Sequence, residues 1–224
     1  MDIALKGDAG SCLNERLGGS IFLVAVADGF GTIGGESPAR LVLRQFRFEC
    51  ARKLRRQRVR SHKMITAALI AVLNRVNSDI FRRSAAHDDY ITGGASITAM
   101  LMVADHAYIA HIGRTAAYLS RDARVVRLTK EDTFEQILTR SIGTQPQLEV
   151  SFCAFPLCEG DAVILASHPL VDPAVFEQAS NRSLAIVRYH TQPETASEPS
   201  GRSGVAAISR IAIATVLLFG LMSI

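Results

Sequence analysis

Ile21-Phe22-Leu23-Val24-Ala25-Val26-Ala27-Asp28-Gly29-Phe30-Gly31 is the stretch on which the fold turns. The apolar run 21–27 suits a buried strand that stops at the polar pair Asp28-Gly29. Three glycines follow within residues 30–35, and Glu36-Ser37-Pro38 then opens a helix with proline in its first turn. Along that helix Leu43, Phe46, Cys50 and Leu54 make one apolar stripe. Ser61-His62 marks a break. From Lys63 to Arg83 the residues Ile65, Ala68, Leu69, Val72, Leu73, Val76 and Ile80 recur at helical spacing, which predicts a second long amphipathic helix.

From Gly93 the texture changes to short apolar runs at 95–103, 106–112, 115–120 and 124–128, parted by Ala104-Asp105, Gly113-Arg114 and Arg121-Asp122. Further strands are expected at 148–155, 161–167 and 184–189. One strand, two helices and then a series of hairpin-spaced strands is an α+β order. It argues against a Rossmann or P-loop protein, and neither G-x-G-x-x-G nor a Walker sequence is present.

Composition agrees with a folded body: 48% of the 224 residues are apolar and 21% charged. The net charge of +4 is too small to point to nucleic acid by itself. Cys12, Cys50, Cys153 and Cys158 form no Cys-x-x-Cys pair, so neither a zinc ribbon nor a disulfide framework is indicated; Cys153 and Cys158 could be drawn as a redox pair, but buried structural thiols are expected there. The opening Met1-Asp2-Ile3-Ala4-Leu5-Lys6 lacks a signal-peptide pattern. Residues 191–204, rich in Pro, Ser, Thr, Glu and Gly, read as a flexible linker between a domain at 1–190 and the segment 205–224. That last segment has the length of a membrane span, with Arg210 alone charged and near its entering end, and is expected to be a single-pass C-terminal transmembrane anchor. Arg202 and Arg210 on its near side would keep the domain cytoplasmic. The alternative is a C-terminal helix packed on the domain.

The ordered series of blocks resembles the PPM-type (type 2C) metal-dependent Ser/Thr protein phosphatases. Residues 23–31 are similar to the family's V-A-D-G-M-G-G block, and Gly10 to Arg16 resembles G-x-x-R-x-x-N-E-D. Gly93 to Ala99 looks like the G-T-T strand, and Ala107 to Leu119 like the L-Y-V-A-H-V-G-D-S-R-A-Y-L hairpin. Leu128-Thr129-Lys130-Glu131-Asp132-Thr133, Leu138 to Thr144 and Glu159 to Ser167 resemble L-T-x-D-H-S, L-T-R-A-L-G and G-D-x-x-L-L-C-S-D-G. The match runs over roughly residues 3–189 and implies two antiparallel sheets face to face with helices outside, an α-β-β-α sandwich.

The resemblance also implies two Mg²⁺ or Mn²⁺ ions bridged by a hydroxide that attacks a phosphoserine or phosphothreonine. Such ions need several carboxylates around them. Here Asp28 is kept, and the carbonyl of Gly29 could still serve. The aspartate of N-E-D falls on Arg16 after a retained Glu15, the phosphate-gripping arginine on Ser11, the aspartate of G-D-S-R on Arg114, and that of S-D-G on His168. The terminal aspartate of the family's D-N pair falls on Ser180, before Asn181. A unit charge about 4 Å from a divalent ion is worth roughly 8 kcal/mol at an effective dielectric near 20, and arginine reverses its sign while supplying no lone pair. Imidazole at His168 could still bind a transition metal. The family's lid segment is nearly absent between Thr133 and Leu138, and Ser167 to Asn181 is short. The expectation is therefore a metal site too degenerate to work, with no cofactor unless residual activity draws on Mg²⁺ or Mn²⁺.

Plainer readings stand beside these. Asp28 could be a turn residue and Glu15 a cap or solvated carboxylate, while His168 is either a former ligand position or a satisfied core histidine. His106 and His111, five apart on a strand, should lie on opposite faces and form no joint site. Residues 40–63 hold ten Lys and Arg, among them Arg52, Lys53, Arg55, Arg56, Arg58 and Arg60, expected either as a solvated helix face or as a lipid-facing one. Nucleic acid ranks behind lipid because no aromatic residue interleaves the charges from Arg52 to Arg60. Three functions follow: a membrane-tethered, inactive phosphatase-like domain binding a phosphoprotein or kinase; a divergent phosphatase using Asp28, Glu15 and His168 with one transition metal; or a basic-helix docking module for membrane or nucleic acid.

Overall fold

A computed structural model describes residues 1–6, 11–18, 21–54, 61–87, 93–170, 183–190 and 215–216. Strands β1 (Asp2–Lys6), β2 (Cys12–Gly18) and β3 (Ile21–Gly31) are followed by helices α1 (Pro38–Leu54) and α2 (His62–His87). Strands β4 (Gly93–Val103), β5 (His106–Ile112), β6 (Ala116–Arg121) and β7 (Arg124–Arg127) come next. Two short strands, β8 (Thr133–Phe134) and β9 (Ile137–Leu138), precede β10 (Ser151–Pro156), β11 (Ala162–Ala166), β12 (Leu184–Arg188) and β13 (Thr215–Val216).

These strands form a five-stranded sheet in the order β10-β5-β4-β3-β2 and a six-stranded sheet in the order β13-β1-β12-β11-β6-β7, while β8 and β9 make a separate hairpin. Every pairing is antiparallel except that of β13 with β1. The alternation of β3 sets the layers. Leu23, Ala25 and Ala27 pack with Phe46, Cys50 and Leu54 of α1 and with Leu69, Val72, Leu73, Val76 and Ile80 of α2. Phe22, Val24 and Val26 point the other way, into a second core shared with Val163 and Leu165 of β11 and Val187 of β12. A strand between two cores must be apolar on both faces, which is why residues 22–27 show no alternation of polarity. Its end is held tightly: a Cβ on Gly29 would lie 2.7 Å from the backbone nitrogen of Ala39, so only glycine lets the start of α1 close on the strand.

The expected sandwich of two antiparallel sheets with flanking helices is therefore present, and among the described residues both helices cover the five-stranded sheet. α2 is the one described helix long and apolar enough to cross a membrane, and its apolar stripe is packed in the first core. The linker and anchor expected at 191–224 lie outside the described residues apart from Thr215–Val216, whose backbone runs parallel to Asp2–Ile3. The connection between Thr133 and Leu138, expected to be bare, is the β8–β9 hairpin, with Glu135 and Gln136 at positive φ in its turn. One expectation needs correction. Cys153 is only part-buried and Cys158 is exposed, because β10 lies at the sheet edge and Cys158 falls in the turn beyond it; Cys12 is part-buried too, and Cys50 is buried, with burial pushing its thiol far up.

Candidate functional site

Three segments from both sheets meet at Asp28. It lies near the end of β3, opposite Ser96 of β4. Arg114 comes from the turn between β5 and β6, and its Nε and Nη2 donate to Asp28 Oδ2 at 3.3 and 3.2 Å. His168 follows β11 and places Nε2 3.5 Å from the same oxygen, with its Nδ1 3.2 Å from the Ser167 hydroxyl. The turn that delivers Arg114 is rigid for identifiable reasons. Gly113 has φ +97°, and a Cβ there would fall 2.2 Å from Ser96 Oγ, so no other residue fits. Its N–H donates to Asp132 Oδ2 at 2.7 Å, its carbonyl accepts from the Asp132 N–H at 2.8 Å, and the Arg114 N–H donates to Ser96 Oγ at 3.1 Å. Asp132 is itself buried and ion-paired with Arg140.

A hydrogen-bonded chain lies behind this turn. His111 is buried, and the loss of water pushes its pKa down against the raising influence of Asp132 and its backbone partners. The Lys130 carbonyl, 3.0 Å from Nε2, can only accept, so Nε2 carries the proton and Nδ1 accepts from the Thr98 hydroxyl at 2.9 Å. Thr98 then accepts from Thr115 at 2.7 Å. The neutral histidine is thus satisfied, a structural part of the site's floor. His106 is elsewhere, beside Asp105 and tilted against His62, so the two strand histidines are separate as expected.

The site contains a carboxylate held by a guanidinium, with an imidazole beside it. The side chains of Arg114, Asp28 and His168 are 45%, 21% and 41% exposed, so the pairs add about 0–1 kcal/mol each to stability and their arrangement matters more than their strength. Two hard divalent ions would need several oxygen donors, and the described residues offer one carboxylate, whose Oδ2 already faces a guanidinium, and the neighbouring Gly29 carbonyl. Among the described residues no three His, Cys, Asp or Glu side chains are placed to hold a metal ion. The donor set of the described residues does not fit a Mg²⁺ or Mn²⁺ pair.

The structure brings together some of the expected site residues and separates others. Arg114 and His168 sit at Asp28. Ser11 is close by, its carbonyl accepting the Ala27 N–H at 2.9 Å. Arg16 and Glu15 are corrected: the β2–β3 register sets Arg16 opposite Phe22 and Glu15 opposite Leu23, so Arg16 is about 20 Å of strand away from Asp28. Arg16 lies over the Phe22 ring, 5.4 Å from its centroid, and Glu15 accepts from Arg47 Nε of α1 at 2.6 Å. Ser180 and Asn181, and Arg55, Arg56, Arg58 and Arg60 of the basic run, lie outside the described residues. Arg52 and Lys53 are in the last turn of α1, with Arg52 paired to Glu49.

Sequence reasoning missed the clamp formed by Asp132 and Arg140. Replacing Asp132 by Asn keeps the shape but removes the charge that holds Arg140 and shortens the bond to Gly113. The expected cost is about 1–3 kcal/mol, read by thermal unfolding, with faster amide exchange at Gly113 and Arg114 than at the buried β4 amides.

No family model matches the chain. The serine/threonine protein phosphatase PstP of Mycobacterium tuberculosis, in strains CDC 1551 and H37Rv, is 34% identical over 74 residues, which is 33% of this chain and 14% of that protein. The chain thus matches only a small part of that relative's length. Among solved structures, the M. tuberculosis phosphatase PstP/Ppp superposes with a TM-score of 0.64 at 20% identity, covering 84% of this chain and 98% of that one. The S. agalactiae serine/threonine phosphatase gives 0.67 at 16%, covering 83% and 98%. A PstP catalytic domain in complex with two manganese ions gives 0.60 at 21%, covering 82% and 95%. The chain has the fold of PPM-type serine/threonine phosphatases, as the sequence blocks led one to expect.

Proposed function

We propose that this chain is a phosphatase-fold domain that has exchanged catalysis for recognition, acting in phospho-signalling by binding a phosphoprotein or a kinase. The observation that carries the reading is the pair of nitrogen groups on Asp28, the Arg114 guanidinium with Nη2 at 3.2 Å and the His168 imidazole with Nε2 at 3.5 Å, on a fold whose solved relative PstP binds two manganese ions. A guanidinium in contact with the one retained carboxylate opposes a second cation there. A one-metal enzyme built from Asp28, Glu15 and His168 has less support, since Glu15 is engaged by Arg47 along the strand from Asp28. Membrane tethering through residues 205–224, with the domain facing the cytoplasm, is part of the proposal and rests on the apolar run from Ile211 and the preceding arginines.

The full chain is expected to release no phosphate from phosphoserine or phosphothreonine peptides above the blank with Mn²⁺ or Mg²⁺ present, and to bind phosphorylated peptides more tightly than unphosphorylated ones. Arg114→Ala should abolish that preference. Mn²⁺-dependent release that disappears in Asp28→Asn would defeat the proposal.

A further inference from the structure

The basic residues of this chain are gathered in one part of it. Residues 38–87 hold thirteen of the 25 Lys and Arg but only two of the 21 Asp and Glu, a net +11, which leaves −7 for the remainder. The fold turns the described part of that imbalance into a surface, because α1 (Pro38–Leu54) and α2 (His62–His87) form the helical layer and their apolar side is consumed by the first core. What remains outward is cationic. Among the described residues of α1 and α2, Arg40, Arg44, Arg47, Arg52, Lys53, Lys63, Arg75, Arg82 and Arg83 stand against the carboxylates Glu15, Glu36, Glu49 and Asp79. Nine cations thus face four carboxylates, and Arg44, Arg47, Arg52, Arg75 and Arg82, which pair with those carboxylates, are still more than half exposed.

An apolar group sits in the middle of this charge. A shallow groove between the helices is lined by Gln45, Phe48, Glu49, Arg75, Arg82 and Arg83, together with Asp79, and Phe48 is 61% exposed in it. An aromatic ring projecting from an arginine-rich face fits an anionic bilayer surface: the ring can enter the headgroup boundary while the guanidiniums bind lipid phosphates. A folded acidic protein would offer carboxylates and a preformed pocket for the ring, whereas this face is open and its charge is spread over both helices.

We propose that the α1–α2 face docks on an anionic membrane surface through Phe48 and the arginines Arg75, Arg82 and Arg83. This goes beyond the reading of the Asp28 site and does not depend on it. It also differs from tethering by the C-terminal segment, since it concerns how the domain lies once near a bilayer.

The chain contains no tryptophan, so Phe48→Trp supplies a single reporter at an exposed position. The full chain carrying it is mixed with phosphatidylcholine vesicles, and with vesicles that also contain phosphatidylglycerol. The tail experiences both, but only the second should shift tryptophan emission to the blue and protect it from acrylamide. The shift should vanish in about 1 M salt, where the Debye length is about 3 Å. It should also vanish in Arg75→Glu/Arg82→Glu/Arg83→Glu, and weaken in the milder Arg82→Gln/Arg83→Gln, which keeps the proposal testable if the triple variant folds poorly. Identical spectra with the two vesicle types, or a shift that survives these substitutions, would overturn it. Protection by soluble polyglutamate but not by the anionic vesicles would overturn it as well and assign the face to an acidic protein.

Discussion

Exchanging the guanidinium and the imidazole at the site for acids, Arg114→Asp with His168→Asp, is expected to give a domain whose melting temperature depends on Mn²⁺, where the unaltered chain's does not. In the parent, Asp28 faces a guanidinium at 3.2 Å and an imidazole at 3.5 Å. In the variant it faces carboxylates. Without metal the like charges raise one another's pKa and cost about 1–2 kcal/mol, a figure kept small by the site's partial exposure. With Mn²⁺ present, three carboxylates and the Gly29 carbonyl make an oxygen-rich set of the kind such an ion requires. A ligand at a hundred times its dissociation constant stabilises the folded state by about 2.7 kcal/mol, which for a chain of this size raises the melting temperature by roughly 5–10 °C. The parent should show no comparable rise. A parent that responds to Mn²⁺ as strongly as the variant would mean that the arginine and histidine do not displace metal, and the proposal of lost catalysis would fall with it.

The experiment is informative because the relevant geometry was only partly visible in the chain. Arg114 was legible: Gly113 interrupts two apolar runs, and such an interruption forces a turn that carries the next residue to the sheet end. His168 was legible for a similar reason, standing just beyond the buried strand Ala162–Ala166. Arg16 was misplaced because spelling and register part company in the β2–β3 hairpin. The pairing of Gly18 with Ile21 and the one-residue register shift between Arg16 and Gly18 together set every partner upstream, and the residue letters N-E-R reveal neither the reversal nor the bulge. Asp132 and Arg140 were invisible as a pair, since what joins them is the β8–β9 hairpin, whose Glu135-Gln136 turn lacks the glycine or asparagine that normally announces positive φ. The helical layer shows the same limit. Its net charge can be counted from the sequence, but the meeting of Phe48 with Arg75, Arg82 and Arg83 exists only because α1 and α2 pack side by side.

Away from the site, the largest stability effect is expected from Arg121→Ala at the opposite sheet's interior pair. Asp161, at the start of β11, has a side chain only 1% exposed. Burial by itself would push its carboxyl pKa up, yet two bonds from Arg121 (Nε at 2.8 Å, Nη2 at 2.6 Å) and one from the Cys158 N–H at 2.7 Å bring it below the ordinary value of 3.8. Arg121 also donates to the Pro156 carbonyl at 2.9 Å, so one guanidinium ties the end of β10 to the turn before β11. Removing it strands a buried carboxylate. Fully buried pairs broken this way lose 3–5 kcal/mol, and since the guanidinium is itself about one third exposed, a loss of about 2–4 kcal/mol is expected at pH 7. The pH dependence follows from the depressed carboxyl: the stabilisation is complete above 3.8, where the unfolded chain's aspartate is ionised too, and declines as acid protonates Asp161 in the folded state. Urea denaturation of parent and variant should therefore differ most at neutral pH and converge below 3.8. Arg121→Lys should recover only part of the loss, because an ammonium cannot span both carboxylate oxygens and the Pro156 carbonyl in one plane. A penalty that stays constant into acid would show that Arg121 stabilises through packing of its stem rather than through Asp161.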